Sequence, residues 1–175
     1  MDKKEEEIEK KFQFENHESW TQQLQPEPNP SWIKTRDLGA GKKSTYIPLP
    51  IQQALADKFF REFDVFEENY QLIANEILAT VRISILPDYP HSDHRIISGT
   101  AAKPIQQNQG TPASSFPQGK KTNGLEYNAP AARASAISNA LTTFANVFGR
   151  NLSRDIKNNF SFIKDKTEEN GNTTK

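Results

Sequence analysis

The side chains best suited to chemistry lie in one short polar segment. Asp88, His91, Asp93 and His94 are ligand types for a divalent ion, and the two histidines stand three residues apart. The same residues also compose an ordinary polar connection between strands. The remaining histidine, His17, lies far upstream and there is no cysteine, so a complete catalytic shell is hard to assemble. The run Gly39-Ala40-Gly41-Lys42-Lys43-Ser44 has some of the character of a phosphate loop. It lacks the required first-glycine spacing, and Tyr46-Ile47-Pro48 follows where that motif needs a helix. Neither a dinucleotide fingerprint nor a nucleophile elbow occurs. The expectation is a protein without a catalytic centre, a metal or any other cofactor.

Basic residues interleaved with glycine and aromatics are what remain. Net charge is zero, with 22 basic and 22 acidic side chains, so only the distribution carries information. Residues 1–20 and 57–76 are acidic, at −3 and −4, whereas residues 21–43 and 103–157 are basic, at +2 and +5. Two basic stretches separated by an acidic one can build a positive groove. Lysine and arginine near a glycine turn suit phosphate oxygens, because both side chains and backbone N–H groups can approach closely. Trp32 and Tyr46 are either stacking platforms for bases or core residues.

Several elements must position these groups. Leu24 to Pro30, with three prolines, reads as an extended approach. Trp32 and Ile33 anchor a first strand, Gly39 to Gly41 make a turn, and Tyr46-Ile47 belong to a second strand. Pro50 suits a helix start, and Ile51, Ala54, Leu55, Lys58, Phe59, Glu62 and Phe63 follow helical spacing, so residues 50–63 read as an amphipathic helix. Residues 65–76 are compatible with helix or strand. Ile77, Ala79, Val81, Ile83 and Ile85 alternate along a strand over 77–86 that Pro87 ends, and a short strand over Arg95–Gly99 pairs with it. Residues 104–126, rich in Gln, Gly, Pro, Ser and Thr, form a flexible loop. Asn128 caps a helix whose apolar stripe is Ile137, Ala140, Leu141, Phe144, Val147 and Phe148. Its polar face carries Ser135, Ser138, Asn139, Thr142 and Asn146, and Gly149 closes it.

Two segments resemble the Rad fifty-two family of recombination proteins. In the first, Trp32-Ile33, Arg36, Gly39 to Gly41 and Tyr46-Ile47 match the family's opening hairpin. In the second, Ala136, Ile137, Ala140, Leu141, Phe144, Asn146, Gly149 and Leu152 match its long helix. Val81 to Ile85 resembles the central strand, and the order of elements agrees over roughly residues 24–155. The resemblance implies an α+β fold: an antiparallel β-β-β-α core with a long helix packed on a sheet, assembling into a ring or helical filament. It also implies that single-stranded DNA lies in a basic groove with its bases available, and that complementary strands are annealed in recombination or repair without enzymatic chemistry. Arg36 falls on the family's DNA-contacting arginine and Lys43 on a basic position of the same turn. One departure is marked. Where the family's long helix carries basic residues, this chain has Ser138, Asn139 and Thr142. Lys103, Arg133, Arg150 and Arg154 are the candidates to compensate, together with a basic loop at Lys120 and Lys121, and Lys34 and Lys42 of the hairpin complete the expected DNA-binding set.

The expected organisation is therefore a charged extension over residues 1–23, an annealing domain over 24–163 and a disordered tail over 164–175. The expected partners are single-stranded DNA, further copies of the chain and a single-strand-binding protein. No apolar run approaches the roughly 20 residues of a membrane span, and the start of the chain lacks the apolar core of a signal peptide. The expected setting is cytoplasmic, or nuclear in a eukaryote. A single-stranded RNA-binding module without annealing activity and a structural ring are the competing readings.

Overall fold

The computed structural model describes residues 12–105, 107–108, 120–121 and 123–152. Its centre is set by the alternation read at residues 77–86. Ile77, Ala79, Val81, Ile83 and Ile85 are all buried, while the intervening residues are half-buried or exposed. One face of a strand is thus apolar, and it must be covered. The strand runs from Glu76 to Pro87 (β4) and is the middle of a three-stranded antiparallel sheet. Phe60–Ile73 (β3) pairs with one side of it and Arg95–Pro104 (β5) with the other.

The cover is the long helix α3, Gly124–Phe144. Its buried residues include Ala132, Ala136, Ile137, Ala140 and Leu141. Three alanines on one stripe let the helix axis come very close to the sheet. Gly99 in β5 shows how close: a Cβ there would lie 2.1 Å from the Ala136 carbonyl oxygen and 2.6 Å from the Ala140 nitrogen. Only glycine fits, and the reason is packing against a helix, not a turn. The protein is therefore α+β, with a three-stranded antiparallel sheet packed against a long helix.

The small hairpin lies apart from this sheet. Lys34–Gly39 (β1) and Lys42–Tyr46 (β2) pair only with each other, through a turn at Ala40 and Gly41. Both turn residues have positive φ, the backbone state that favours tight hairpins. Helix α2, Leu49–Phe59, follows. It is tied to the end of α3 by Gln52, whose Nε2 donates to Thr142 Oγ1 at 3.0 Å and to the Phe148 carbonyl at 2.9 Å.

Several boundaries differ from the sequence reading. Helix α2 stops at Phe59, and β3 begins at Phe60 with no intervening loop. Residues 62–65, EFDV, alternate polar and apolar, so Glu62 and Phe63 fit a strand face as well as a helical one. β5 is twice the expected length because small residues, Ser98 to Ala102, allow the strand to continue under α3. Helix α3 starts at Gly124 and holds Pro130 inside it, so the expected cap at Asn128 is internal. Gly149 is left-handed, with φ 99°, as read, but it closes a 3-10 turn over Asn146–Phe148 and not the long helix.

The fold also begins earlier than Leu24. Asn16 caps a short helix, His17–Leu24 (α1), through a reciprocal capping box with Ser19. Phe14, Trp20 and Leu24 are core residues. The Trp20 indole donates to the Phe59 carbonyl at 2.9 Å, and its ring sits among Phe60, Tyr89 and Phe144. Part of what reads as a charged extension is thus the lid of the core. The loop expected over 104–126 and the tail over 164–175 lie largely or wholly outside the described residues.

Candidate nucleic-acid interface

Among the described residues β5 is an edge strand, with β4 on one side and no strand on the other. Its free edge, the polar face of α3 and the β1–β2 hairpin enclose a groove of about 630 Å³. Arg36, Ser44 and Tyr46 line it from the hairpin. Thr100 to Lys103 line it from β5, and Ser135, Ser138, Asn139 and Thr142 from α3.

Each contribution follows from local structure. The hairpin register pairs Arg36 with Ser44 and Lys34 with Tyr46, so these four share one face. The Arg36 guanidinium lies over the Tyr46 ring, 5.5 Å from its centre, an orientation that steadies it without neutralising it. Lys103 pairs with Ile77 across the sheet, on the α3 side, and is half-buried. Asn139 donates from Nδ2 to the Thr100 carbonyl at 2.8 Å, closing part of the open strand edge onto the helix. Ser138 is half-buried beside it.

The groove does not stop at α3. A second cavity of about 470 Å³ shares Thr100, Asn139 and Thr142 with it and adds Ser98, Thr143 and Arg150. Together they form one track whose cations are Arg36, Lys103 and Arg150. Among the described residues no aspartate or glutamate lines either cavity. No ion pair between described residues involves these three cations.

The other expected residues fall elsewhere. Lys43 pairs with Asp37, on the hairpin face opposite Arg36, and does not line the groove. Lys34 and Lys42 are exposed on the hairpin outside its lining. Arg133 faces β3, where its guanidinium Nε donates to Glu68. That hydrogen bond, before any other influence, holds the Glu68 carboxyl below the usual carboxylate range. Arg154 lies outside the described residues. The four residues of the polar segment after β4 do not converge: Asp88 pairs with Arg61 at 3.2 Å, while His94 contacts Ser84 and Glu62. No group of metal ligands occurs among the described residues.

Sequence reasoning missed Ser44, Gln52 and Thr100 as parts of this site. Each is a small or neutral residue whose value comes only from the groove around it. No protein-family model matches the chain, and neither does any curated protein.

Proposed function

We propose that this chain binds single-stranded DNA along the track from Arg36 through Lys103 to Arg150 and promotes its pairing with a complementary strand. The observation that carries the reading is charge segregation. In a chain with 22 acids and 22 bases, the track's lining includes three cations and no carboxylate among the described residues. A polyanion is held by cations that are not already neutralised, because binding displaces its condensed counterions. The hydroxyl and amide groups of Ser138 and Asn139 take the place of charge on the helix face, donating to phosphate oxygens. Such contacts hold a backbone without reading bases, which suits a strand that must stay free to pair.

Pairing of complementary strands is downhill, so the reading needs no nucleotide hydrolysis. It is that of a binding protein, of the kind the resemblance to the Rad fifty-two family implies. The same reading includes assembly of several copies side by side. Among the described residues both β3 and β5 are open edges, and Phe66, Tyr70, Leu72 and Ile73 of β3 are exposed apolar residues. Edges and apolar patches of this kind are covered by association.

The test is binding of a labelled oligothymidylate across a salt series, with strand pairing followed in the same buffers. The expected result is affinity that falls steeply with salt, faster annealing than protein-free controls, and large particles by sedimentation. Absence of binding at low salt overturns the reading. Preference for an oligouridylate, without annealing, favours an RNA-binding module instead.

A further inference from the structure

Beyond Arg150 the surface opens into a third cavity, of about 560 Å³, between α1 and the end of α3. Arg150 lines both this cavity and the preceding one. His17, Trp20, Arg95, Phe144 and Asn146 also line it, and among the described residues no carboxylate does. Arg95 is its distinctive feature. At the start of β5 it pairs with Ile85, so it occupies a position on the core side of the sheet. Its guanidinium lies over the Trp20 ring, 5.2 Å from the centre, and Nη2 donates to Tyr89 Oη at 3.3 Å. The indole beneath it is buried, yet Arg95 itself is exposed. No ion pair between described residues involves it.

We infer that the bound strand continues past Arg150 into this cleft, where Arg95 takes one nucleotide. The inference rests on the function proposed above and extends its site. A guanidinium fixed by an aromatic ring below and a phenol at its edge is a preorganised planar cation. Its N–H groups fork onto phosphate oxygens and its outer face stacks a base. An arginine placed only to cover Trp20 needs neither an open outer face nor a cleft free of acids. The short helix α1 thereby acquires a role beyond packing: it builds the far wall of the strand's path.

Two measurements on the full chain test this. The protein has two tryptophans, so Trp32→Phe leaves Trp20 as the sole indole reporter, with Arg95 untouched. Saturation with oligothymidylate is expected to change Trp20 emission. Separately, Arg95→Ala is expected to lower the slope of log affinity against log salt by about 0.7, one single-strand phosphate contact, with Arg95→Lys keeping most of the slope. Unchanged Trp20 emission overturns the extension, and so does an unchanged slope for a folded Arg95→Ala. If Arg36→Ala still weakens binding in that case, the proposed function stands and the strand ends at Arg150. If Arg36→Ala is also silent, both readings fall. The fluorescence arm keeps the proposal falsifiable even if Arg95→Ala folds poorly.

Discussion

On the β3 side of the sheet every described arginine meets a carboxylate. Arg61 pairs with Asp88, Arg82 with Glu67, and Arg133 with Glu68. On the β5 side, Arg36, Lys103, Arg150 and Arg95 share no ion pair with any described residue. The same sheet and the same helix serve both sides. What differs is the acidic content of the neighbouring strand: β3 carries Glu62, Asp64, Glu67 and Glu68, whereas β5 carries no acid at all. A paired guanidinium has already spent its field locally, while an unpaired one remains available to a polyanion. The number of cations on a surface thus says less about nucleic-acid binding than the number left unpaired.

The most damaging way to break this contrast is to remove the β5 side. Gly99→Ala places a methyl group against the Ala136 carbonyl and the Ala140 nitrogen. Both are helix backbone and cannot swing aside, so α3 must lift from β5. The expected loss of stability is about 3 kcal/mol, the upper end for overpacking. It is read as a fall in urea midpoint, with loss of oligonucleotide binding in the surviving folded fraction.

Charge removal tests the contrast directly. Arg36→Ala and Arg150→Ala should each lower the salt slope of binding by about 0.7. Arg133→Ala should leave that slope unchanged, because it removes a cation Glu68 has already neutralised. Equal effects from Arg133→Ala and Arg36→Ala would place the strand on the wrong side of the sheet for the proposed track. The converse substitution sharpens the point. Ser138→Lys adds a cation to the groove floor and should raise the slope by about one contact's worth, roughly 0.7. Thr142→Arg is the poorer choice, since Thr142 accepts the hydrogen bond from buried Gln52.

The smallest effect concerns pH. Glu68 has its pKa lowered from 4.5, first through the Arg133 hydrogen bond. A carboxylate with a depressed folded value contributes stability that is present above its unfolded pKa and is lost as pH falls through the folded one. The pair's side chains are 41% and 30% exposed, so the contribution is at most about 1 kcal/mol. Glu68→Gln should therefore lower the melting temperature slightly at neutral pH, with the difference from the parent protein vanishing in acid. A difference that persisted in acid would mean that Glu68 acts by packing and not by charge.

Much of the frame is legible in the residues. The alternation of Ile77 to Ile85 dictates a half-buried strand whatever surrounds it, because a period of two admits one apolar face. Gly39 to Gly41 marks the hairpin turn, and the stripe Ile137, Ala140, Leu141 and Phe144 marks the core face of α3. The change from α2 to β3 at Phe60 was not legible, since Phe59 and Phe63 keep helical spacing while Glu62 to Val65 alternate, and pairing with β4 decides between them. Trp20 and Phe14 were hidden by the charge around them, and only the open end of the core draws them in.

The sequence by itself determined which residues are cations and which strands and helix must bury an apolar face, because those follow from side-chain chemistry and period. Tertiary structure alone decided which cations are left unpaired. Arg133 and Arg150 lie in the same basic stretch, yet one folds against Glu68 and the other lines a cavity with Asn139, Thr142 and the middle of β5. Electrostatic pairing requires a partner within a few ångströms, and no local pattern specifies a neighbour that lies 65 residues away, as Glu68 does from Arg133.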